Sequence, residues 1–376
     1  METYDVIIVG GGPAGSTCAW ALRRAGLDVV VIDRATFPRD KVCAGWITPH
    51  VVMDLRLDVQ EYRQGRTFQP FTGFRVGLIG GRADVDTAYE APVSFGIRRC
   101  EFDQYLLQRS LARLRLGTPI SSLRRDGLFW VVNDCFKARM LVGAGGHFCP
   151  VAALLNGSTD GAALVVAQEA EFAIDPREVS FSTTVPERPE LYFSRTLNGY
   201  GWCLRKENYL NIGFGHLDRH RLPSAVAEFS AFLEARGRIP RDASWRWKGH
   251  AYFLSEGRRR RVVDDRVLLI GDAAGLAYPH SGEGIRPAVE SGLIAASTIV
   301  EAHRGHTRDP LRLYEVRLRE RFGRRHGLSS FVSQAVPSQL GRVLGPLLLR
   351  TPLFVRHVLL DRWFLHTHEP ALALVA

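Results

Sequence analysis

The clearest pattern in the chain is a set of short, uninterrupted apolar runs that end in glycine. Val6 to Val9 is one, followed by Gly10 to Gly15, by helical spacing over Ser16 to Ala25, and by a second apolar run, Val29 to Ile32. Continuous apolar runs of this length suit strands buried on both faces, and a helix between them predicts a βαβ unit. A helix is expected over about 102–116, with strand-like runs at Phe129 to Val132 and Leu141 to Val142 extending the first sheet. From about Leu164 to Phe253 the pattern becomes mainly β: Val179 to Val185, Leu191 to Phe193, Gly201 to Leu204 and Leu210 to Phe214 lie between Pro, Gly and Asn turn signals. Val267 to Ile270 is fully apolar again, and about Gly284 to Val300 reads as a helix that returns the chain to the first sheet.

The expected fold class is therefore α/β, with a discontinuous Rossmann-type domain, a β-rich substrate domain and a helical C-terminal segment. The first domain takes residues 1–165, with an insertion near 60–95 that belongs to the second lobe, and residues 258–305; the β-rich domain takes 166–257. The remaining 306–376 mixes Arg with Leu, Val and Phe and is interrupted by Pro337, Pro346 and Pro352, so it lacks the ~20 unbroken apolar residues of a spanning helix. A helical cover over the enzyme's own core is the expectation; peripheral membrane contact through Arg342, Arg350, Arg356 and Arg362 beside Leu347 to Leu349, Phe354 and Trp363 is the alternative.

Composition narrows the class. With 376 residues, 46% hydrophobic and 23% charged, the chain can bury a full core. A formal charge of +10 would suit an acidic partner, but arginine far outnumbers lysine and is scattered, and no RNA-binding or helix-turn-helix signature is present, so no nucleic acid is expected. Six dispersed cysteines without a CxxC pair fit a reducing cytosol, and the opening residues run into a strand pattern without a leader, so a cytoplasmic enzyme, in contact with a membrane at most peripherally, is expected. His216 and His220 have helical spacing, but no third ligand accompanies them and no metal site is expected.

Gly10-Gly-Gly12-Pro13-Ala14-Gly15 fits GxGxxG between a strand and a helix. Gly10 permits the tight turn, Gly12 lets the backbone approach a pyrophosphate, and Gly15 allows close helix packing. Asp33, with Arg34 beside it, ends the second strand where a carboxylate can bind ribose hydroxyls. Two further stretches separate FAD from NAD. Gly271-Asp272 closes the strand 267–270, and Gly282-Glu-Gly284-Ile285 opens the next helix, where a carboxylate can meet ribityl hydroxyls and a helix N-terminus can face the electron-rich edge of a flavin.

These stretches resemble the geranylgeranyl reductase family, within the group that has the p-hydroxybenzoate hydroxylase fold. Arg39-Asp-Lys41-Val42-Cys43-Ala-Gly45 is similar to the family's Lys-Val-Cys-Gly segment; Arg99-Cys-Glu-Phe102-Asp103 resembles its Arg-x-x-Phe-Asp element; Tyr200-Gly-Trp202, followed by Asn211-Ile-Gly213, resembles its Tyr-x-Trp-x-Phe-Pro element. The resemblance implies FAD contacts at Lys41, Val42, Cys43, Pro279 and the glycine stretches, an Arg99 that faces the nucleotide, and Cys43 as the active-site cysteine. It also places His280 beside the flavin, where it is a candidate proton donor, and Tyr200 and Trp202 on the substrate wall, suited to a hydrophobic or aromatic small molecule that could be protein-bound. Two departures stand out: Gly143-Ala-Gly145-Gly146 lacks the family's aspartate, and Leu204-Arg205 replaces Phe-Pro. Cys149 follows the first departure and is expected to pack in the core. No Trp-x-Trp-x-Ile-Pro is present, which argues against a flavin halogenase.

The leading expectation is reduction of C=C bonds in a hydrophobic, isoprenoid-like substrate by reduced FAD. Electrons would come from NAD(P)H or a protein reductase visiting transiently, because the chain holds no second GxGxxG unit. The alternatives are a flavin monooxygenase acting on an aromatic or peptidyl substrate, on the same fold, and a non-enzymatic flavin-binding partner in a biosynthetic assembly.

Overall fold

The structure is a computed structural model that describes residues 1–81, 83–157, 164–174, 183–241, 246–253, 260–279, 281–302, 308–323 and 344–372. The chain opens with β1 (Glu2–Val9), α1 (Pro13–Arg24) and β2 (Val29–Ile32). It leaves this layer through β3 (Trp46–Ile47), α2 (Pro49–Asp54), α3 (Val59–Tyr62), β4 (Gln69–Phe71), β5 (Gly73–Leu78), β6 (Val85–Ala88) and β7 (Ser94–Gly96). It returns by α4 (Arg99–Arg109), β8 (Arg113–Arg115), β9 (Leu123–Asp126), β10 (Phe129–Val132), β11 (Phe136–Gly143) and α5 (Pro150–Asn156). The second lobe adds β12 (Leu164–Ala173), β13 (Glu190–Phe193), β14 (Gly199–Lys206), β15 (Tyr209–His216), α6 (Leu222–Ala235) and β16 (Lys248–Phe253). Last come β17 (Val263–Asp264), β18 (Val267–Leu269), α7 (Ile285–Ala302), α8 (Arg308–Phe322) and a π-helical segment, Val355–Phe364.

The first sheet runs β8-β2-β1-β11-β18 in parallel, with β17 antiparallel at the β18 edge. Val6 and Ile8 face one apolar layer with α1 and α7, and Ile7 and Val9 face the other with Cys149 and Val151 of the α5 side, so no polar position interrupts the run. Alpha-helices α1 and α7 touch through Gly292, where a Cβ would lie 2.6 Å from the Ala14 carbonyl oxygen. Their close approach brings the Gly10–Gly15 loop beside the start of α7.

The second sheet has the order β16-β12-β15-β14-β13-β5-β6, antiparallel except for the β13·β5 pair. Phe229 and Leu233 of α6 cover Leu210, Ile212 and Phe214 on one face. On the other, Leu349, Val355, Leu359, Leu360 and Phe364 from the C-terminal segment cover Phe74, Leu191 and Leu204. Among the described residues, no helix is long and apolar enough to cross a membrane.

Three local expectations change. The helix expected to reach residue 116 stops at Arg109, because Leu111 turns with φ 53° and Arg113–Arg115 pairs with β2 as an edge strand. Tertiary pairing here overrides helical periodicity. The amphipathic helix α6 interrupts the stretch read as mainly β, and most of the expected strand at 179–185, together with Arg342, lies outside the described residues.

A buried ionic network ties the C-terminal tail to α7. Arg286, 0% exposed, pairs with Glu290 at 2.7 Å and donates to the carbonyls of His366, Glu369 and Pro370. Arg321 shares Glu290 at 2.8 Å, and Leu372 N–H donates to Asp54. Glu290→Ala would strand a fully buried guanidinium. Urea unfolding is expected to register a loss of about 3–5 kcal/mol; a loss below about 1 kcal/mol would contradict the network's role.

Candidate active site

The glycine loop is built so tightly that side chains cannot enter it. Gly10 has φ 115°, and a Cβ there would lie 2.3 Å from the Ala144 oxygen; at Gly15 it would lie 1.9 Å from the Gly10 oxygen. Gly12 caps α1, and Pro13 and Ala14 are buried in its first turn, leaving the helix N-terminus open to an anion. Asp33 accepts from the N–H of Gly11 at 2.7 Å and of Ala35 at 2.8 Å, which fixes the turn, while Arg34 is exposed beside it. Arg39, absent from the expected contacts, packs its guanidinium next to Gly12, over the Phe37 ring and 3.3 Å from Asp103.

The second glycine stretch meets the first. Gly271 has φ 59°, lies against the Ala14 side chain and donates its N–H to Ser291 at 2.9 Å. Asp272 Oδ1 sits 3.2 Å from where a Cβ of Gly284 would be, so the Gly-Asp corner faces the start of α7. The loop that carries Pro279 is closed by Tyr278 N–H to Glu283 C=O at 3.0 Å and Gly282 N–H to Tyr278 C=O at 2.8 Å, and Ile285 is buried at the first turn of α7. His280 lies outside the described residues.

Around Asp272 the site is cationic. Lys41 Nζ lies 2.9 Å from His250 Nε2. Burial, with the charges of Arg99 and Arg39 and against the pull of Asp272, pushes Lys41 down to about 8. Burial and the Lys41 charge push His250 down to about 3, and burial and Arg260 lower His147. Cations held this close lower one another's proton affinity, and a bound polyanion would reverse that. The donor set therefore fits a pyrophosphate. Gly145, where the family aspartate is missing, packs on Cys149. That thiol is 2% exposed within the core and burial raises it, so Cys149 is a packing residue.

The opposite wall is the inner face of the second sheet, and it grips the Cys43 peptide at both ends. Glu169 of β12 accepts the Cys43 N–H, and Asn211 Nδ2 of β15 reaches the Cys43 carbonyl at 3.4 Å. Asn211 also accepts the indole N–H of Trp202 at 2.7 Å and donates to Glu171 at 3.1 Å. Glu171 is bonded by Lys206, itself 0% exposed, at 2.7 Å and by Arg98 at 3.1 Å. Burial would raise this carboxyl, but Lys206 and these hydrogen bonds hold it below the usual range. The Cys43 thiol accepts from Gly45 N–H at 3.3 Å, and Arg99 lies close enough for its charge to be felt there.

Arg99 is buried and forks onto Asp103 with two 2.8 Å bonds, so in this structure its hydrogen bonds go to a carboxylate of its own helix. Tyr200 donates its hydroxyl to the Ser281 carbonyl, joining the sheet to the α7 loop. Its ring packs against Phe193, Trp202 and Phe364 at 5.4–6.2 Å, forming an aromatic wall. Sequence reasoning missed Arg39, Glu169, Glu171, Lys206 and His250. The available signal was Glu169-Ala-Glu171 within a strand, two carboxylates on one face of a sheet flanked by apolar residues.

Comparison with known proteins agrees with this geometry. Residues 5–73 match the FAD dependent oxidoreductase (DAO) family. Over 347 residues the chain is 30% identical to a menaquinone reductase of Mycobacterium tuberculosis, spanning 86% of this chain and 81% of the relative. The chain belongs to the geranylgeranyl reductase family of FAD-dependent oxidoreductases. A geranylgeranyl diphosphate reductase of Rhodobacter capsulatus is 29% identical over 323 residues, 78% of this chain and 74% of that one. The crystal structure of a geranylgeranyl bacteriochlorophyll reductase-like protein from Thermoplasma acidophilum shares the fold, with a TM-score of 0.77 at 21% identity over 93% of this chain and 91% of that chain. As a geranylgeranyl reductase family member the chain is an FAD-dependent oxidoreductase, and its α/β fold is the one expected from the sequence.

Proposed function

We propose that this protein reduces carbon–carbon double bonds of a hydrophobic, isoprenoid-type molecule held between the flavin and the inner face of the second sheet. The observation that carries the reading is the aromatic wall of Phe193, Tyr200, Trp202 and Phe364, set beside the clamped Cys43 segment. Such a wall suits an apolar chain and offers it few hydrogen bonds. The chain's similarity to a menaquinone reductase and a geranylgeranyl diphosphate reductase points the same way.

In this reading Gly10, Gly12, Pro13, Ala14 and Gly15 present backbone N–H groups and the α1 dipole to the FAD pyrophosphate, with Arg39 alongside. Asp33 and Arg34 bind the adenosine end, and Asp272, next to Gly271, binds ribityl hydroxyls. Lys41 joins Arg39 at the pyrophosphate, Val42, Cys43, Pro279, Gly282, Gly284 and Ile285 surround the ring, Arg99 lies behind Cys43, and Tyr200 and Trp202 line the substrate side. Bound and reduced, FAD supplies a hydride to the substrate. NAD(P)H or a protein reductase supplies the electrons as a transient visitor.

Two outcomes test this. Lys41 stands at about 8 in the free protein; a pyrophosphate beside it raises that value, so FAD binding takes up a proton above about pH 8 and FAD affinity falls as pH rises further. Calorimetric titration of apoprotein with FAD in buffers of different ionisation enthalpy measures the uptake, and Lys41→Met is expected to abolish it. Under strict exclusion of oxygen, photoreduced holoprotein mixed with a long-chain isoprenyl diphosphate, which carries no quinone ring to take the electrons, is expected to return to the oxidised spectrum while the product gains two hydrogens. Reoxidation only on admitting oxygen, with an oxygen atom in the product, would replace this reading with a monooxygenase.

A further inference from the structure

Glu169 sits where the two halves of the site meet. In the sheet it stands opposite Gly213, which stands opposite Trp202, so the three share one face. The indole covers Gly213 so closely that a Cβ there would lie 2.1 Å from the ring, which leaves carboxyl and indole as neighbours across a glycine gap. Through Oε2 the carboxyl accepts the Cys43 N–H. Among the described residues no donor bonds its other oxygen, Oε1, although the residue is only 6% exposed.

The charged groups facing Glu169 are engaged elsewhere. Lys206 of β14 bonds Glu171 on Glu169's own strand, Lys248 of β16 bonds Asp40, His250 of β16 bonds Lys41, and Arg99 of α4 bonds Asp103. Burial, against the pull of the Lys206 charge, pushes the Glu169 carboxyl up to about 7.

We propose that Glu169 is the acid that delivers the proton in double-bond reduction. The inference rests on the reductase reading. Oε2 is committed to Cys43, so the transferable proton is carried on Oε1. The double bond accepts hydride from the reduced flavin at one carbon and the Glu169 proton at the other. The N–H bond that carries the hydride, the carboxyl O–H bond and the π bond break, two C–H bonds form, and the substrate gains the two electrons that the flavin loses. The carboxylate left behind is held by Cys43 N–H, stabilised by the Lys206 charge, and reprotonated from solvent.

Glu169→Gln keeps a carbonyl for the Cys43 N–H and removes the acid. In infrared spectra of oxidised holoprotein without substrate, the wild type is expected to show a protonated-carboxyl C=O band that fades as pH rises through about 7, absent from Glu169→Gln. In anaerobic single turnover with a long-chain isoprenyl diphosphate, the variant should bind substrate with unchanged Kd but oxidise its reduced flavin at least about 100-fold more slowly. The wild-type decline in rate above about pH 7 should also vanish. Glu169→Asp, with the acid on a shorter arm, should recover a pH-dependent rate below wild type. A wild-type rate and pH profile in both variants, or an infrared band that survives Glu169→Gln, overturns the proposal. A wild type whose reduced flavin no isoprenoid oxidises overturns the reductase reading instead, and the infrared band still decides where the proton resides.

Discussion

The architecture of the site depends on one peptide group. Cys43 is held by its N–H to Glu169 and by its carbonyl to Asn211, two residues of the second sheet, while its thiol accepts from the Gly45 N–H. The connection between glycine-loop domain and β-rich domain is therefore made of polar contacts placed where water is scarce, and such contacts are costly to leave half-made. Trp202, Asn211, Glu171 and Lys206 form one continuous chain of hydrogen bonds behind that peptide, so the aromatic wall and the cysteine segment are positioned by the same residues.

Two electrostatic regions flank this clamp and have opposite characters. On the glycine-loop side, Arg39, Lys41, Arg99 and Arg260 crowd around Asp272, and burial together with the neighbouring positive charges holds Lys41 and His250 below their usual ranges. On the second-sheet side, Glu171 is matched by Lys206 and Arg98, whereas Glu169 is left with a backbone N–H and a raised proton affinity. A third ionic cluster, Arg286 with Glu290 and Arg321, anchors the tail at the start of α7. The tail segment in turn supplies Phe364 to the aromatic wall.

Much of the first lobe was legible because it is local. The Val6–Val9 run, the glycines and the Val29–Ile32 run lie within one βαβ unit, and Gly10 and Gly15 are explained by backbone atoms that would collide with a side chain. The Gly271-Asp272 corner and the Gly284 helix start were legible for the same reason. The clamp was not, because Cys43 is separated from Glu169 and Asn211 by more than a hundred residues, and an alternating strand with glutamates reads as solvent-facing until its partner surface is known. The overlong helix at 102–116 failed similarly: the pairing of Arg113–Arg115 with β2 is a tertiary contact that periodicity does not carry. Arg99 and Asp103, four apart on α4, were quoted as a motif, and their spacing already favoured the mutual pair that the structure contains.

The most direct test of the central claim is a crystal structure of the FAD-loaded protein with a bound isoprenoid, grown without oxygen. The expected result is density for the flavin ring against the Cys43 segment and the Gly282–Ile285 turn, with the isoprenoid between the ring and the Glu169–Gly213–Trp202 row. A flavin ring or an isoprenoid lying away from that row, with the Cys43 peptide released from Glu169 and Asn211, would contradict it.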